Sequence, residues 1–163
     1  MTQEYLKSIL KYNETTGTFT WIVAMGVRGV VGGTAGSTRK DTKYVNIQID
    51  QKAYKAHRLA WLYMYGMFPK NEIDHINHDR SDNRISNLRD VTIKDNMKNL
   101  PLYSINSSGK MGVNRRKGTS SWVAYININK KRIHIGSYTT KEEAIKAREE
   151  AETLHNFHKN HGR

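Results

Sequence analysis

The chain has no cysteine. That excludes a disulfide framework and every cysteine-ligated zinc site, zinc fingers included, and it fits a reducing compartment. Acidic residues are scarce: 15 Asp and Glu stand against 27 Lys and Arg, for a formal charge of +12. An excess of base that large points to an anionic partner, with nucleic acid the leading class and an anionic membrane surface its rival. Long apolar runs are also missing. The longest, "LAWLYMYGMF", falls short of the roughly 18 residues that a membrane helix needs, and no long basic amphipathic helix is visible to lie on a membrane surface. The opening "MTQEYLKSIL" has no apolar core behind basic residues, so a signal peptide is not expected and the expected location is the cytoplasm. The Gly-rich stretch "GVRGVVGGTAG" has no following Lys-Ser/Thr and no strand-to-helix frame, which excludes a phosphate-binding loop and leaves turns.

What is present is unevenly distributed. Residues 110–135 hold seven Lys or Arg and no acid, whereas acids gather at 72–95 and 142–152. Separate jobs follow: a polyanion-binding face and an acidic site. With 37% apolar residues, the 163-residue chain reads as several small modules rather than one large core.

Local patterns supply the elements. Leu6, Ile9 and Leu10 fall on one side of a helix over residues 3–12. "GTFTWIV" reads as a strand. "YVNIQID" alternates with Val45, Ile47 and Ile49 on one face, "DQK" turns, and "AYKAH" returns as a hairpin. "HRLAWLYMYG" is helical and stops at Gly66, with Pro69 beyond. Thr92 and Asp95 form a capping signature for a helix near Ile93, on which Ile93, Met97 and Leu100 make a buried stripe. Residues 101–110, rich in Ser, Asn and Gly, read as a linker. Beyond it Trp122, Ala124, Ile126 and Ile128 alternate onto one face, "KKR" turns, and "RIHIGSY" is another strand. Thr140 and Glu143 then open a helix with Ala144, Ala147, Ala151 and Leu154 as its apolar stripe.

The stretch "EIDHINHDRSDNRISNLRDVTIKDNMKNL" concentrates the candidate chemistry. Asp74 stands beside His75, and Asn87 and Asn96 follow at intervals of twelve and nine. A carboxylate and an amide oxygen are hard ligands that suit magnesium, manganese or calcium better than zinc. Two such ligands leave most of the coordination sphere to water and phosphate. A neighbouring neutral imidazole can take a proton from an attacking water near pH 7. A regular strand would point Asp74 and His75 to opposite faces, so convergence on one point needs a strand end or a bend. The absence of a central Gly and of the terminal Glu spacing excludes a calcium EF-hand. Arg84 and Arg89 have two roles open to them, neutralising phosphate or pairing with nearby acids. His57 reads as structural or phosphate-contacting rather than as a second base. Asp79, Asp82 and Asp95 are spare carboxylates.

The order "DHIN…DNRISNLR…IKDNMKN" resembles the HNH endonuclease motif, in the variant whose third residue is Asn. "AHRLAWLYMYG" resembles the segment leading into it in phage and intron-encoded homing endonucleases. The resemblance implies a ββα-metal fold in which His75 is the general base, Asp74 and Asn96 are metal ligands, and Asn87 braces the loop and orients His75. It also implies one divalent ion, magnesium with manganese able to substitute, and products with 5′-phosphate and 3′-hydroxyl ends.

The segment "MGVNRRKGTSSWVAYININKKRIHIGSYTTKEEAIKAREEAE" resembles the apetala-type, or ethylene-responsive-factor, DNA-binding domain. It does so through Gly112-Val113, Trp122-x-Ala124, Arg132, Ile135-Gly136 and the helix start at Thr140. That family lays a three-stranded sheet in the major groove with a helix packed behind it. The resemblance nominates Arg115, Arg116, Trp122 and Arg132 for DNA contact, with Lys117, Lys130 and Lys131 on phosphates. His134 stands where plant members carry an aromatic, so base-reading details do not transfer. Trp122 has a packing role equally open to it. In the tail His155, His158 and His161 recur every third residue, a frayed basic terminus in preference to a metal site.

The reading is an α+β chain: residues 1–53 a helix and hairpin region, 54–100 the HNH core, 101–110 the linker, and 111–158 the ethylene-responsive-factor-like domain. The expected function is metal-dependent endonuclease action on double-stranded DNA, nicking or cutting, by a monomer of homing type, phage-encoded and active in a bacterial host cell. Arg58 and Arg84 join the DNA contacts. The rivals are a sequence-specific DNA-binding protein with an idle nuclease fold, and a ribonuclease or structure-selective nuclease.

Overall fold

The computed structural model describes residues 1–26 and 29–163, so Val27 and Arg28 of the Gly-rich stretch lie outside the described residues. The chain divides into two compact units, Met1–Ile93 and Lys94–Arg163.

In the first unit, α1 (Gln3–Ile9) is capped by Thr2, whose hydroxyl accepts from the Tyr5 N–H at 3.2 Å. The helix is shorter than the periodicity predicts. After Ile9 the chain turns extended, and Leu10 and Tyr12 enter β1 (Leu10–Asn13) with alternating burial. The apolar positions are the same, but a strand partner, β2 (Thr18–Trp21), competes successfully for the Leu10–Asn13 backbone. β3 (Thr34–Ala35) completes that antiparallel sheet. A second sheet runs β4 (Ser37–Thr38), β5 (Val45–Ile49), β6 (Lys52–Lys55). Asp50 and Gln51, both at positive φ, turn the β5–β6 hairpin. Ile47 and Ile49 are buried as the alternation predicts, with Val45 half-buried. α2 (Ala56–Tyr65) follows directly and ends at Gly66 in the left-handed conformation. β7 (Glu72–His75) and β8 (Leu88–Val91) pair antiparallel. One core joins Leu6, Leu10, Phe19, Ile47, Leu59, Ile73 and Leu88. Each such side chain, fully buried, contributes about 1.5–3 kcal/mol.

α3 (Ile93–Asn96) spans the division between the units and passes into a 3₁₀ turn at Met97–Asn99. The expected buried stripe is not formed: Ile93 is 69% exposed and Met97 50%, while Asn99 is buried. One turn of α-helix is too short to present a stripe, and the tighter 3₁₀ winding rotates Met97 off the face that 3.6-residue spacing assigns to it.

The second unit holds the sheet β9 (Val113–Arg115), β10 (Trp122–Ile128), β11 (Lys131–Tyr138), ordered β11-β10-β9, with α4 (Lys141–Leu154) packed on it. The capping box is complete: Thr140 accepts from the Glu143 N–H, and Glu143 accepts from the Thr140 N–H at 3.1 Å. The helix stripe differs from expectation at its end. Ala144 is buried, but so is Arg148, and Leu154 is 77% exposed. Arg148 is accommodated because its Nε donates to the Met111 carbonyl at 2.9 Å, its Nη2 meets Glu152 at 3.3 Å, and its guanidinium lies over Phe157. The tail is not frayed. The His158 N–H donates to the Lys98 carbonyl at 3.0 Å and Gly162 N–H to Leu100 at 2.8 Å, and His161 is buried. Within 101–110, Ser108 is buried and donates to the Lys110 carbonyl at 2.8 Å.

Candidate active site

β7 ends at His75, so the Asp74–His75 pair sits where the strand gives way to a loop. Both are buried. Pleating gives them different neighbours. Asp74 lies opposite Arg89 in the β7–β8 register, and the Arg89 Nε and Nη2 donate to Asp74 Oδ2 at 2.8 and 2.6 Å. His75 turns toward two other rings, with centroids 5.0 Å from His57 and 5.9 Å from Tyr44.

The loop 76–87 is closed by Asn87. Its Oδ1 accepts from the Asn77 N–H at 3.0 Å and its Nδ2 donates to the Asp82 carbonyl at 2.9 Å, while its own carbonyl accepts from the Ile76 N–H at 2.9 Å. These bonds hold the two ends of the loop together immediately after His75. Acids inside the loop are turned onto their own neighbours: Asp79 accepts from Ser81 and Asp82 from Arg84 and Asn77. Asn83 is buried, its carbonyl accepting from the Tyr12 hydroxyl at 2.7 Å and its Nδ2 donating to the Ser81 carbonyl. Gly17, at φ +71°, packs so closely on Asn83–Arg84 that a methyl group would run into the Arg84 amide. Upstream, Asp90 accepts from the Lys70 and Asn71 N–H groups and fixes the entry to β7.

Burial lowers the pKa of His75 below the ordinary imidazole value, with the Asn83 side chain and the charges of Asp74, Asp79 and Asp82 opposing it in part. His57 is pushed down to about 3, chiefly by burial and then by the charges of His75, Lys55 and Arg58. Both rings are therefore neutral at neutral pH, the state in which an imidazole accepts a proton.

Residues 54–98 match the family model for HNH endonuclease. The HNH-matching segment thus runs from the end of β6 to the 3₁₀ turn after α3 and contains Asp74, His75, Asn87 and Asn96. The match supports a nuclease, a hydrolase of phosphodiester bonds. Comparison with curated proteins and with solved structures returns no match.

The structure gives the cations nominated from sequence the following partners. Arg58 donates to the Pro69 and Asn71 carbonyls at 3.4 Å each and lies over Phe68, bracing the approach to β7. Arg84 takes the pairing role with Asp82, and Arg89 takes it with Asp74. In the second unit, Trp122 is half-buried and packs against Val113, Ala124 and Ala144, with Lys141 over its ring. Arg115, Arg116, Lys117, Lys130, Lys131 and Arg132 are exposed. Because Ala124 and Ile126 face the core, Tyr125 and Asn127 stand on the opposite face with their partners His134 and Arg132. Arg132 stacks on Tyr125 at 4.2 Å. Asn96 closes α3, half-buried, in the second unit.

Spacing along the chain missed Tyr44 and Asn83 as neighbours of His75. The alternation at 45–49 marks the strand after Tyr44 but carries no information on which ring its start will meet.

Among the described residues no group of three or more His, Asp or Glu side chains is placed to hold a metal ion. The donor chemistry still fits a hard divalent ion held largely by water and phosphate. Both Arg89 bonds fall on the same oxygen of Asp74, Oδ2.

Proposed function

We propose that the chain is a metal-dependent endonuclease that hydrolyses phosphodiester bonds of double-stranded DNA, with His75 as the general base. The observation that carries this reading is a buried imidazole, neutral at neutral pH, at the end of β7 within the segment that matches HNH endonucleases. His75 takes a proton from water as the water oxygen bonds to phosphorus. The phosphorus–oxygen bond on the 3′ side breaks, and the leaving oxygen takes up a proton, giving 5′-phosphate and 3′-hydroxyl ends. Asn87 holds the loop that positions His75. A magnesium ion, when bound, supplies positive charge to the phosphate oxygens as the bond breaks. On this reading Asp74 is one ligand, and the motif alone assigns the second to Asn96.

The second unit is proposed to hold the duplex in the manner of an ethylene-responsive-factor domain. The sheet face bearing Tyr125, Asn127, Arg132 and His134 supports this, since a short antiparallel sheet fits the major groove. The homing-type assignment belongs to the same proposal.

The test is relaxation of supercoiled plasmid and of host genomic DNA with magnesium or manganese, beside an EDTA control and His75→Ala. Metal-dependent nicking that His75→Ala abolishes is expected. Retained DNA binding with no cleavage of either DNA overturns the nuclease reading in favour of a DNA-binding protein.

A further inference from the structure

Three arginines of the HNH-matching segment are already engaged: Arg58 on two loop carbonyls, Arg84 on Asp82, Arg89 on Asp74. Two other cations stand differently. Lys55, the last residue of β6, places its Nζ 4.4 Å from the centroid of the Tyr44 ring. Arg80, in the 76–87 loop, places its guanidinium 5.1 Å from the same centroid and donates to the Thr42 carbonyl at 3.3 Å. Both residues are exposed, and among the described residues neither forms an ion pair with a carboxylate. The neighbouring acids are committed elsewhere: Asp41 to Arg39, Asp79 to Ser81, Asp82 to Arg84. The Tyr44 ring itself lies against His57 and His75, at 5.1 and 5.9 Å.

Residue 44, the end of β6 and the loop after β7 thus bring two unneutralised cations onto one aromatic ring beside the base. Each cation–π contact is weak at an exposed site, and like charges gathered on one ring repel. An anion that accepts from both removes that repulsion. A phosphodiester offers two non-bridging oxygens, one for an ammonium and one for a guanidinium.

We propose that Lys55 and Arg80, seated on Tyr44, form a clamp that binds a backbone phosphodiester of the nucleic-acid substrate next to His75. This rests on the nuclease reading of the same site. The ring sets the spacing of the two cations, and the Thr42 carbonyl restrains the Arg80 guanidinium.

The test uses the full chain with Lys55→Ala, Arg80→Ala, the double variant and Arg80→Lys, each also made in His75→Ala so that binding is read without cleavage. Affinity for a short duplex is measured by fluorescence anisotropy over a range of potassium chloride. Each alanine variant is expected to weaken binding about tenfold, the scale of a lost charged hydrogen bond, and to flatten the slope of log affinity against log salt by about 0.9. The double variant flattens it about twice as much, and Arg80→Lys restores the slope. In the cleaving background the same variants raise KM, and an unchanged melting temperature shows that the fold is intact. A double variant with unaltered affinity and slope overturns the clamp. If the parent nicks DNA and the double variant nicks and binds like it, the nuclease reading stands and the clamp falls. If the parent cleaves nothing but the slope still drops, the clamp stands as a nucleic-acid contact and the nuclease reading falls.

Discussion

Burial opposes the charging of both histidines beside β7, and two measurable consequences follow. The His57 pKa is near 3 in the fold against 6.5 for an ordinary imidazole. Between those values the unfolded chain binds a proton that the native chain does not, so stability is fully present above pH 6.5 and is lost as pH falls toward 3. Each pKa unit of that difference is about 1.4 kcal/mol. Urea unfolding across this window is expected to show the loss, and His57→Phe to flatten it; equal slopes in parent and variant would sink the assignment. His75 is shifted the same way, chiefly by burial. Cleavage is therefore expected to hold from neutral pH down to a midpoint below 6.5, and a kcat profile with its midpoint above 6.5 would contradict it. Asp74 makes the third case. Arg89→Leu removes two charge-assisted bonds from a buried carboxylate, and a stability loss of about 2 kcal/mol is expected, moderated because Arg89 keeps some solvent contact.

Elements whose ends are specified by neighbouring residues formed where the chain pattern placed them. α4 starts at its Thr140–Glu143 box, and Thr140→Ala is expected to cost about 1 kcal/mol in thermal or urea unfolding. Elements without such specification moved. α1 yields Leu10–Asn13 to a strand partner, and α3 breaks into 3₁₀ after one turn, leaving Ile93 and Met97 exposed. The loop 76–87 depends on a distant element: the Gly17 turn packs on Asn83–Arg84, and Tyr12 holds the Asn83 carbonyl. Gly17→Ala is expected to destabilise the fold by about 1–3 kcal/mol, because it adds a clash to a positive φ. Native hydrogen exchange should then quicken first at residues 81–87; a uniform change along the chain would contradict this route.

The two units rest on cores of very different size. Among the described residues, the first joins fifteen buried apolar side chains, the second three, supported by Trp122, Ile135, Tyr138 and Ile145. Buried apolar area is the main favourable term, so amides of β9–β11 are expected to exchange at lower free energy than those of α2 and β5. Equal protection would contradict the inequality. The charge of +12 acts on the whole molecule. Affinity for duplex DNA should fall steeply with salt as condensed counterions are released, and a flat response would remove nucleic acid as the partner.

The chain by itself made the alternation at 45–49 and 122–128, the stop at Gly66, the α4 cap and the Asp74–His75–Asn87–Asn96 spacing legible. Each depends on groups close in sequence: side-chain period, a left-handed glycine, a hydroxyl three residues from an amide, a motif of fixed intervals. Only the tertiary structure decided which cation meets which anion. In sequence Arg84 and Arg89 each had two roles open and Arg58 was a nominated DNA contact; folding set each against a different acceptor, leaving Lys55 and Arg80 on Tyr44. Charges at many sequence separations compete for the same partners, and burial settles the competition, since a carboxylate such as Asp74 cannot enter the interior without compensation. The same physics put Arg148 inside: Met111 and Glu152 were there to receive the guanidinium, while Leu154 stayed 77% exposed.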